Sequence, residues 1–285
     1  MQPLTIGHVR ISCFIEHEIP TRPSWILPDA TPEAVARHRE WLAPHFLDDT
    51  GKLCMSIQSF IVETPDMTVL VDTCVGNDKP RNVPQWNMQR TTFLQDLEVE
   101  GFPAETIDVV LCTHLHVDHV GWNTRLENGV WVPTFAQARY LFARQEWDYW
   151  STRDEDEYGP TMADSVRPII EADRAELVEA DHRISDDLWL EPTPGHTPGH
   201  VSLHIASDGQ EAVITGDLMH HPIQCGEPQW NSRACSDPNQ ARTTRRAFLE
   251  RYSGGEVTIL GTHFASPTAG HFIPHGDAWR FRAIK

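Results

Sequence analysis

The sequence predicts an α/β fold, and three observations carry that prediction. Short apolar runs of strand length recur along the chain, at Val109–Leu111, Leu188–Leu190, Val201–Ile205, Ala212–Ile214 and Val257–Leu260, bounded by Gly, Pro or polar residues. Segments with helical start and stop signals lie among them, the clearest opening at Asp237-Pro238 and closing at Gly254-Gly255. No internal repeat or low-complexity linker divides the 285 residues, and that length suffices for one large domain with a substantial core.

In chain order, Leu4 to Ile15 alternates as a first strand. Pro20, Pro23, Pro28, Pro32 and Pro44 break the β pattern over residues 16–54, around one helix from Pro32 to Trp41. Met55–Val62 and Met67–Asp72 read as a hairpin. Met88–Glu100, Arg144–Trp150 and Thr161–Ala172 are helical candidates, the last interrupted by Pro168. In the final helix Asp237 is the cap and Pro238 the first helical residue, with Ala241, Phe248, Leu249 and Tyr252 facing inward. A single domain over residues 1–285 is expected, with a Pro-rich elaboration at about 16–54 that either covers the site or forms the contact of a homodimer.

The chemistry sits at strand ends. Val109–Leu111 runs through Cys112 and Thr113 into His114-Leu115-His116-Val117-Asp118-His119. Packing does not call for three imidazoles and a carboxylate in six residues. Imidazole nitrogen and carboxylate oxygen are the donors that zinc and neighbouring first-row metals prefer. His114 and His116 are two apart and point the same way from an extended segment. Asp118 and His119 lie past the bend, where they face a second ion. Downstream, His196 in the turn-rich Pro194–His200, Asp217 after Ala212–Gly216, and His263 after Glu256–Thr262 each follow an apolar run.

This ordered series resembles the ligand set of the metallo-β-lactamase superfamily: an H-x-H-x-D-H run, a lone His, a bridging Asp and a final His. The resemblance covers about residues 55–265. Val71-Asp72-Thr73 is similar to the early D-T-G element that supports the metal loop, with Cys74 where many members carry glycine. His196-Thr197-Pro198-Gly199-His200 is the H-T-P-G-H signature, and Gly261–Thr268 resembles the branch holding methyl parathion hydrolase and several lactonases. The resemblance implies an αββα sandwich, two facing mixed β-sheets flanked by helices, with the metals at one edge. It further implies that His114, His116 and His196 hold one ion, that Asp118, His119 and His263 hold the other, and that Asp217 bridges them. Asp72 is expected behind a ligand histidine, and His200 on backbone or a neighbouring loop.

Two divalent ions are therefore expected, zinc by donor set, with iron, manganese and cobalt accepting the same donors. A metal lowers the pKa of bound water to ~7, so a bridging hydroxide is the expected nucleophile. The expected reaction is hydrolysis of a lactone or carboxylic ester, with phosphotriesterase side activity. Asp118 and Asp217 are the catalytic carboxylates, Asp118 steering a proton to the leaving group as the resemblance suggests. Trp122, three residues past His119, and Phe264, next to His263, are candidates for an apolar pocket wall, and His220 for a polar contact there. The alternatives are a glutathione-thiolester hydrolase, disfavoured by the short stretch after His263, and an iron-dependent persulfide dioxygenase.

Composition narrows the partners. A net charge of −18 repels a phosphate backbone, so nucleic acid is not an expected partner. No apolar run approaches the ~20 residues that span a bilayer, and Met1–Arg10 lacks the pattern of a secretory signal. Six scattered cysteines read as free thiols of a cytoplasmic protein, with a Cys225–Cys235 bridge as the alternative. A small ester or lactone is the expected partner.

Overall fold

The structure is a computed structural model that describes residues 2–153 and 157–284. Its backbone falls into two compact units, one comprising Gln2–Glu16 with Ile57–Ala180, the other His17–Ser56 with the chain from Asp181 onward. Each is built on its own mixed sheet, as the α/β class requires. No helix among the described residues is long and apolar enough to cross a membrane.

The first unit contains a seven-stranded sheet. In chain order the strands are β1 (Leu4–Ile6), β2 (Val9–Thr21), β3 (Leu53–Glu63), β4 (Thr68–Val71), β5 (Val109–Leu111), β6 (Thr124–Glu127), β7 (Val130–Pro133), β8 (Arg139–Ala143) and β9 (Ala175–Val178). The sheet order is β1-β2-β3-β4-β5-β8-β9, with β6 and β7 a separate ribbon. β4, β5, β8 and β9 run parallel, and the Val, Leu, Tyr and Phe side chains of β4, β5 and β8 are almost wholly buried, as the centre of a parallel sheet demands. The register pairs Val71 with Leu111. Residues just past both strands, Asp72 and Thr113, therefore leave the sheet at one edge, where α/β folds build their sites.

The second unit carries β10 (Leu188–Pro192), β11 (Val201–Ser207), β12 (Gln210–Ile214), β13 (Thr258–Leu260), β14 (Ala269–His275) and β15 (Ala278–Ala283), paired in sequence order. Only β12 and β13 are parallel, with Ile214 opposite Leu260. Asp217 and His263 each follow three residues later, so this register delivers them to the same edge.

Several local expectations are corrected. The stretch from Leu4 to Ile15 is two strands, because a two-residue turn with Gly7 at φ +57° reverses the chain between Ile6 and Val9. β2 then continues to Thr21, through Pro20. The helix expected over Pro32 to Trp41 is two short ones, Pro32–Ala36, capped by Thr31 accepting the Ala34 N–H at 3.2 Å, and Arg39–Leu42. The break at His38 leaves its ring bonded to Glu227 and Trp41. This Pro-rich segment is no appendage. Leu27, Leu42, Phe46 and Leu53 are buried in the same core cluster as Val213, Phe248 and Phe281. All six cysteines are free thiols.

The helix Pro238–Tyr252 buries Ala241, Phe248, Leu249 and Tyr252 as its sequence pattern requires, and also Arg245. The Asp237 side chain accepts the N–H groups of Asn239 and Gln240 at 3.0 Å. Asp237→Ala is therefore expected to cost ~1 kcal/mol, read as a midpoint of thermal unfolding lowered by about 3 °C. An unchanged midpoint would show the cap to be replaceable by water.

Candidate metal centre

In the first unit the sequence 72–75 is zipped to the histidine loop. Thr73 N–H donates to the His119 carbonyl at 2.8 Å, Gly121 N–H to Cys74 at 2.7 Å and Trp122 N–H to Thr73 at 2.8 Å. A side chain on Gly121 would collide with Val75, so only glycine permits this approach. Cys74 has φ +50°, left-handed backbone that glycine adopts without cost, which explains why glycine is common at that position of the motif. Its thiol contacts Ser59 Oγ at 3.1 Å.

Asp72 fixes two rings at once. Its Oδ1 accepts the Thr113 N–H at 2.7 Å, and its Oδ2 accepts the Thr113 hydroxyl at 2.9 Å. Oδ2 also lies 2.8 Å from His119 Nδ1, so that nitrogen carries the ring proton. Thr113 has a single hydroxyl proton and spends it on Asp72. Its oxygen, 3.1 Å from His114 Nδ1, therefore accepts, and His114 is protonated there as well. In its neutral form each ring then keeps a lone pair on Nε2. Where an imidazole ligates a metal, contacts of this kind orient it. Asp72→Asn substitutes an N–H₂ for one acceptor and is expected to weaken metal binding ten- to a hundredfold, measured by competition against a chromophoric chelator; unchanged affinity would remove Asp72 from the centre.

His114 Nε2 and His116 Nδ1 are 3.1 Å apart. Two donors of a tetrahedral ion bound at 2.0–2.1 Å stand about 3.3 Å apart, so this spacing suits a shared cation. The Asp118 carboxylate is the most exposed member of the loop, with Oδ1 3.7 Å from His119 Nε2. Glu146 buttresses the loop from below: its Oε2 accepts the Leu115 N–H at 3.3 Å and the Trp150 Nε1–H at 2.9 Å, while the His116 ring meets Trp150 edge-on at 5.3 Å.

In the second unit three imidazoles meet one buried carboxylate. His196 Nε2 and His220 Nε2 are each 3.2 Å from Asp217 Oδ2, and His263 Nε2 is 3.1 Å from Oδ1. His263 Nδ1 lies 2.8 Å from the Ser56 carbonyl, which can only accept, so in the neutral ring Nε2 bears a lone pair. A bare nitrogen facing a carboxylate oxygen repels it unless a cation lies between them. His196 Nδ1 sits 3.7 Å from the Cys235 sulfur. These donors fit a metal ion.

His200 is accounted for differently. Its Nε2 accepts the Asp217 N–H at 2.8 Å, so its Nδ1–H donates to Thr193 Oγ1 at 2.8 Å, and the Thr193 and Ser202 hydroxyls carry the chain to the Thr215 carbonyl. It positions backbone, as expected. His221 accepts the Ile223 N–H on Nδ1 and donates to the Phe46 carbonyl through Nε2; burial pushes its pKa down to about 3. Burial also lowers the pKa of His220, against the pull of Asp217.

Two aromatic candidates are engaged in packing. Trp122 is buried, stacks on Phe93 at 6.0 Å and donates its Nε1–H to Glu16 at 2.7 Å. Phe264 is fully buried against Phe281, ring centres 5.1 Å apart. The sequence reading missed Glu146, Thr113, Ser56 and Cys235. Nothing in the predicted helix Arg144–Trp150, which also carries Asp148, singled out Glu146, and a supporting carbonyl such as that of Ser56 has no sequence signal.

The profile of the Metallo-beta-lactamase superfamily matches residues 54–263. The N-acyl homoserine lactonase AiiA of Bacillus thuringiensis subsp. kurstaki is 24% identical over 177 residues, 58% of this chain and 64% of that protein. The chain thus spans 64% of the length of the curated relative it matches. Among solved structures, the hydrolase AbOPH of the beta lactamase superfamily aligns with a TM-score of 0.80 at 22% identity, over 99% of this chain and 97% of the other. AidC, a dizinc quorum-quenching lactonase in complex with its product, aligns with a TM-score of 0.78 at 20% identity, over 100% and 97%. Both likenesses are of fold.

Proposed function

We propose, from the premise that this chain belongs to the metallo-β-lactamase superfamily, that it is a metal-dependent hydrolase opening lactones or cleaving carboxylic esters, with phosphotriester cleavage as a side activity. In this reading His114, His116, His196 and Asp217 form one donor group and Asp118, His119 and His263 the other, Asp217 is shared between two divalent ions, and the two compact units are parts of one domain, since the matched region runs through both. The observation that carries the reading is the convergence of the His196 and His263 Nε2 atoms on the two oxygens of one buried carboxylate, Asp217, at 3.2 and 3.1 Å.

Two bound divalent ions would supply an acidified water at neutral pH and a Lewis acid for the acyl oxygen. The chain's own residues do the rest. Asp72 and Ser56 hold their rings in one tautomer, so no reorganisation is needed when metal arrives. Asp118, with its carboxylate partly open to solvent, would take the proton released by the attacking water and pass it to the leaving alkoxide. The lactone preference draws on the relatives, among them the N-acyl homoserine lactonase.

The test is an assay panel on protein prepared without chelator, with elemental analysis alongside. Acyl-homoserine lactones, simple γ- and δ-lactones, aryl esters and an organophosphate triester are the substrates. Lactone or ester turnover that disappears on chelation and returns with zinc is expected. Metal-replete protein inert toward all four classes would sink the proposal.

A further inference from the structure

We infer that His220 is not a ligand but a positioning residue, which donates its Nε2 proton to Asp217 Oδ2 and so fixes the rotation of that carboxylate. The inference deepens the proposed function and rests on it for the role of Asp217. Distance alone does not separate the two possibilities, because His196 Nε2 and His220 Nε2 lie equally far, 3.2 Å, from the same oxygen.

The remote ring nitrogen separates them. An imidazole that ligates through one nitrogen donates its other N–H to an acceptor. His263 has the Ser56 carbonyl for this, His119 has Asp72 and His114 has Thr113. His220 Nδ1 is buried and has no hydrogen-bond partner among the described residues. Ligation through Nε2 would place a proton on Nδ1 and bury an orphaned donor. With the proton on Nε2 instead, the ring makes a hydrogen bond to a charged acceptor, the stronger kind, and leaves only an acceptor bare.

The consequence concerns both carboxylate oxygens. Oδ1 faces His263 and Oδ2 faces His196. A donor on Oδ2 opposes rotation of the carboxylate about its Cβ–Cγ bond and so helps to present each oxygen to its own histidine. The His220 ring packs 4.8 Å from that of His196 and 5.8 Å from that of His263, centre to centre, which denies it the room to swing away.

Two variants test this. His220→Phe keeps a flat ring and removes the donor; His220→Gln supplies an amide N–H₂ at about the reach of Nε2. Zinc affinity is measured by competition with a chromophoric chelator, and cobalt-substituted protein is examined by absorption and X-ray absorption spectroscopy. His220→Phe is expected to bind metal ten- to a hundredfold more weakly, with His220→Gln close to wild type in affinity and in the number of nitrogen donors. The inference is overturned if His220→Phe binds as tightly as wild type, if folded His220→Gln is as weak as His220→Phe, or if His220→Gln loses a nitrogen donor from the metal. Should His220→Phe fail to fold, His220→Gln decides alone, by its zinc affinity relative to wild type and by its count of nitrogen donors. Wild-type protein that binds no zinc would instead overturn the metal-centre reading, and that outcome needs no variant to recognise.

Discussion

Asp217→Ala is expected to lose bound metal and hydrolytic activity together. The side chain has imidazole nitrogens 3.1–3.2 Å from its two oxygens, and its removal leaves His196 and His263 without the charge that draws a cation between them. Lewis-acid stabilisation of a transition state is worth several kcal/mol, so activity should fall on the order of a thousandfold or more. Elemental analysis and steady-state kinetics on one preparation check the claim. A variant that retains two ions and full turnover would remove Asp217 from the shared position.

Gly121→Ala should be the most destabilising single methyl group in the first unit. A Cβ at that position would lie 1.9 Å from the Val75 carbonyl oxygen and 2.6 Å from that of Cys74. Both obstacles are backbone, and the Cys74 carbonyl anchors the loop by accepting the Gly121 N–H at 2.7 Å. Relief therefore requires the 72–75 segment and the histidine loop to part, taking Asp72 away from His119. A loss of about 4 kcal/mol is expected, at the severe end for one substitution, lowering the midpoint of thermal unfolding by about 10 °C. Gly129→Ala is the control. It has φ +82° but nothing within 4 Å of the added carbon, so only the backbone preference, about 1 kcal/mol, opposes it. Equal midpoints for the two variants would show that the contact at Val75 relaxes freely.

The donor set was legible because metal chemistry restricts residue type and because each donor follows a run that could be read as a strand. Parallel registers Val71–Leu111 and Ile214–Leu260 then bring Asp72 level with Thr113 and Asp217 level with His263. The final helix was legible for a similar reason, since its Asp-Pro start and paired glycines are local signals. The stretch from Leu4 to Ile15 was not: a two-residue turn at Gly7 interrupts the chain without disturbing the apolar alternation on either side. Nor was the integration of residues 17–56, since prolines mark where regular structure stops and say nothing of what Leu42 or Phe46 packs against.

Which side chains can donate to a metal, and on which strand ends they lie, followed from the sequence by itself, because residue chemistry and short-range periodicity are both local. Only the tertiary structure decided how those side chains divide their work. His196, His200, His220 and His263 are the same imidazole, and what distinguishes them is what lies beside the second ring nitrogen: a cysteine thiol, a threonine hydroxyl, no hydrogen-bond partner among the described residues, or a carbonyl about two hundred residues away. A ring proton settles wherever packing leaves it an acceptor, and packing is made by segments that the linear order keeps far apart.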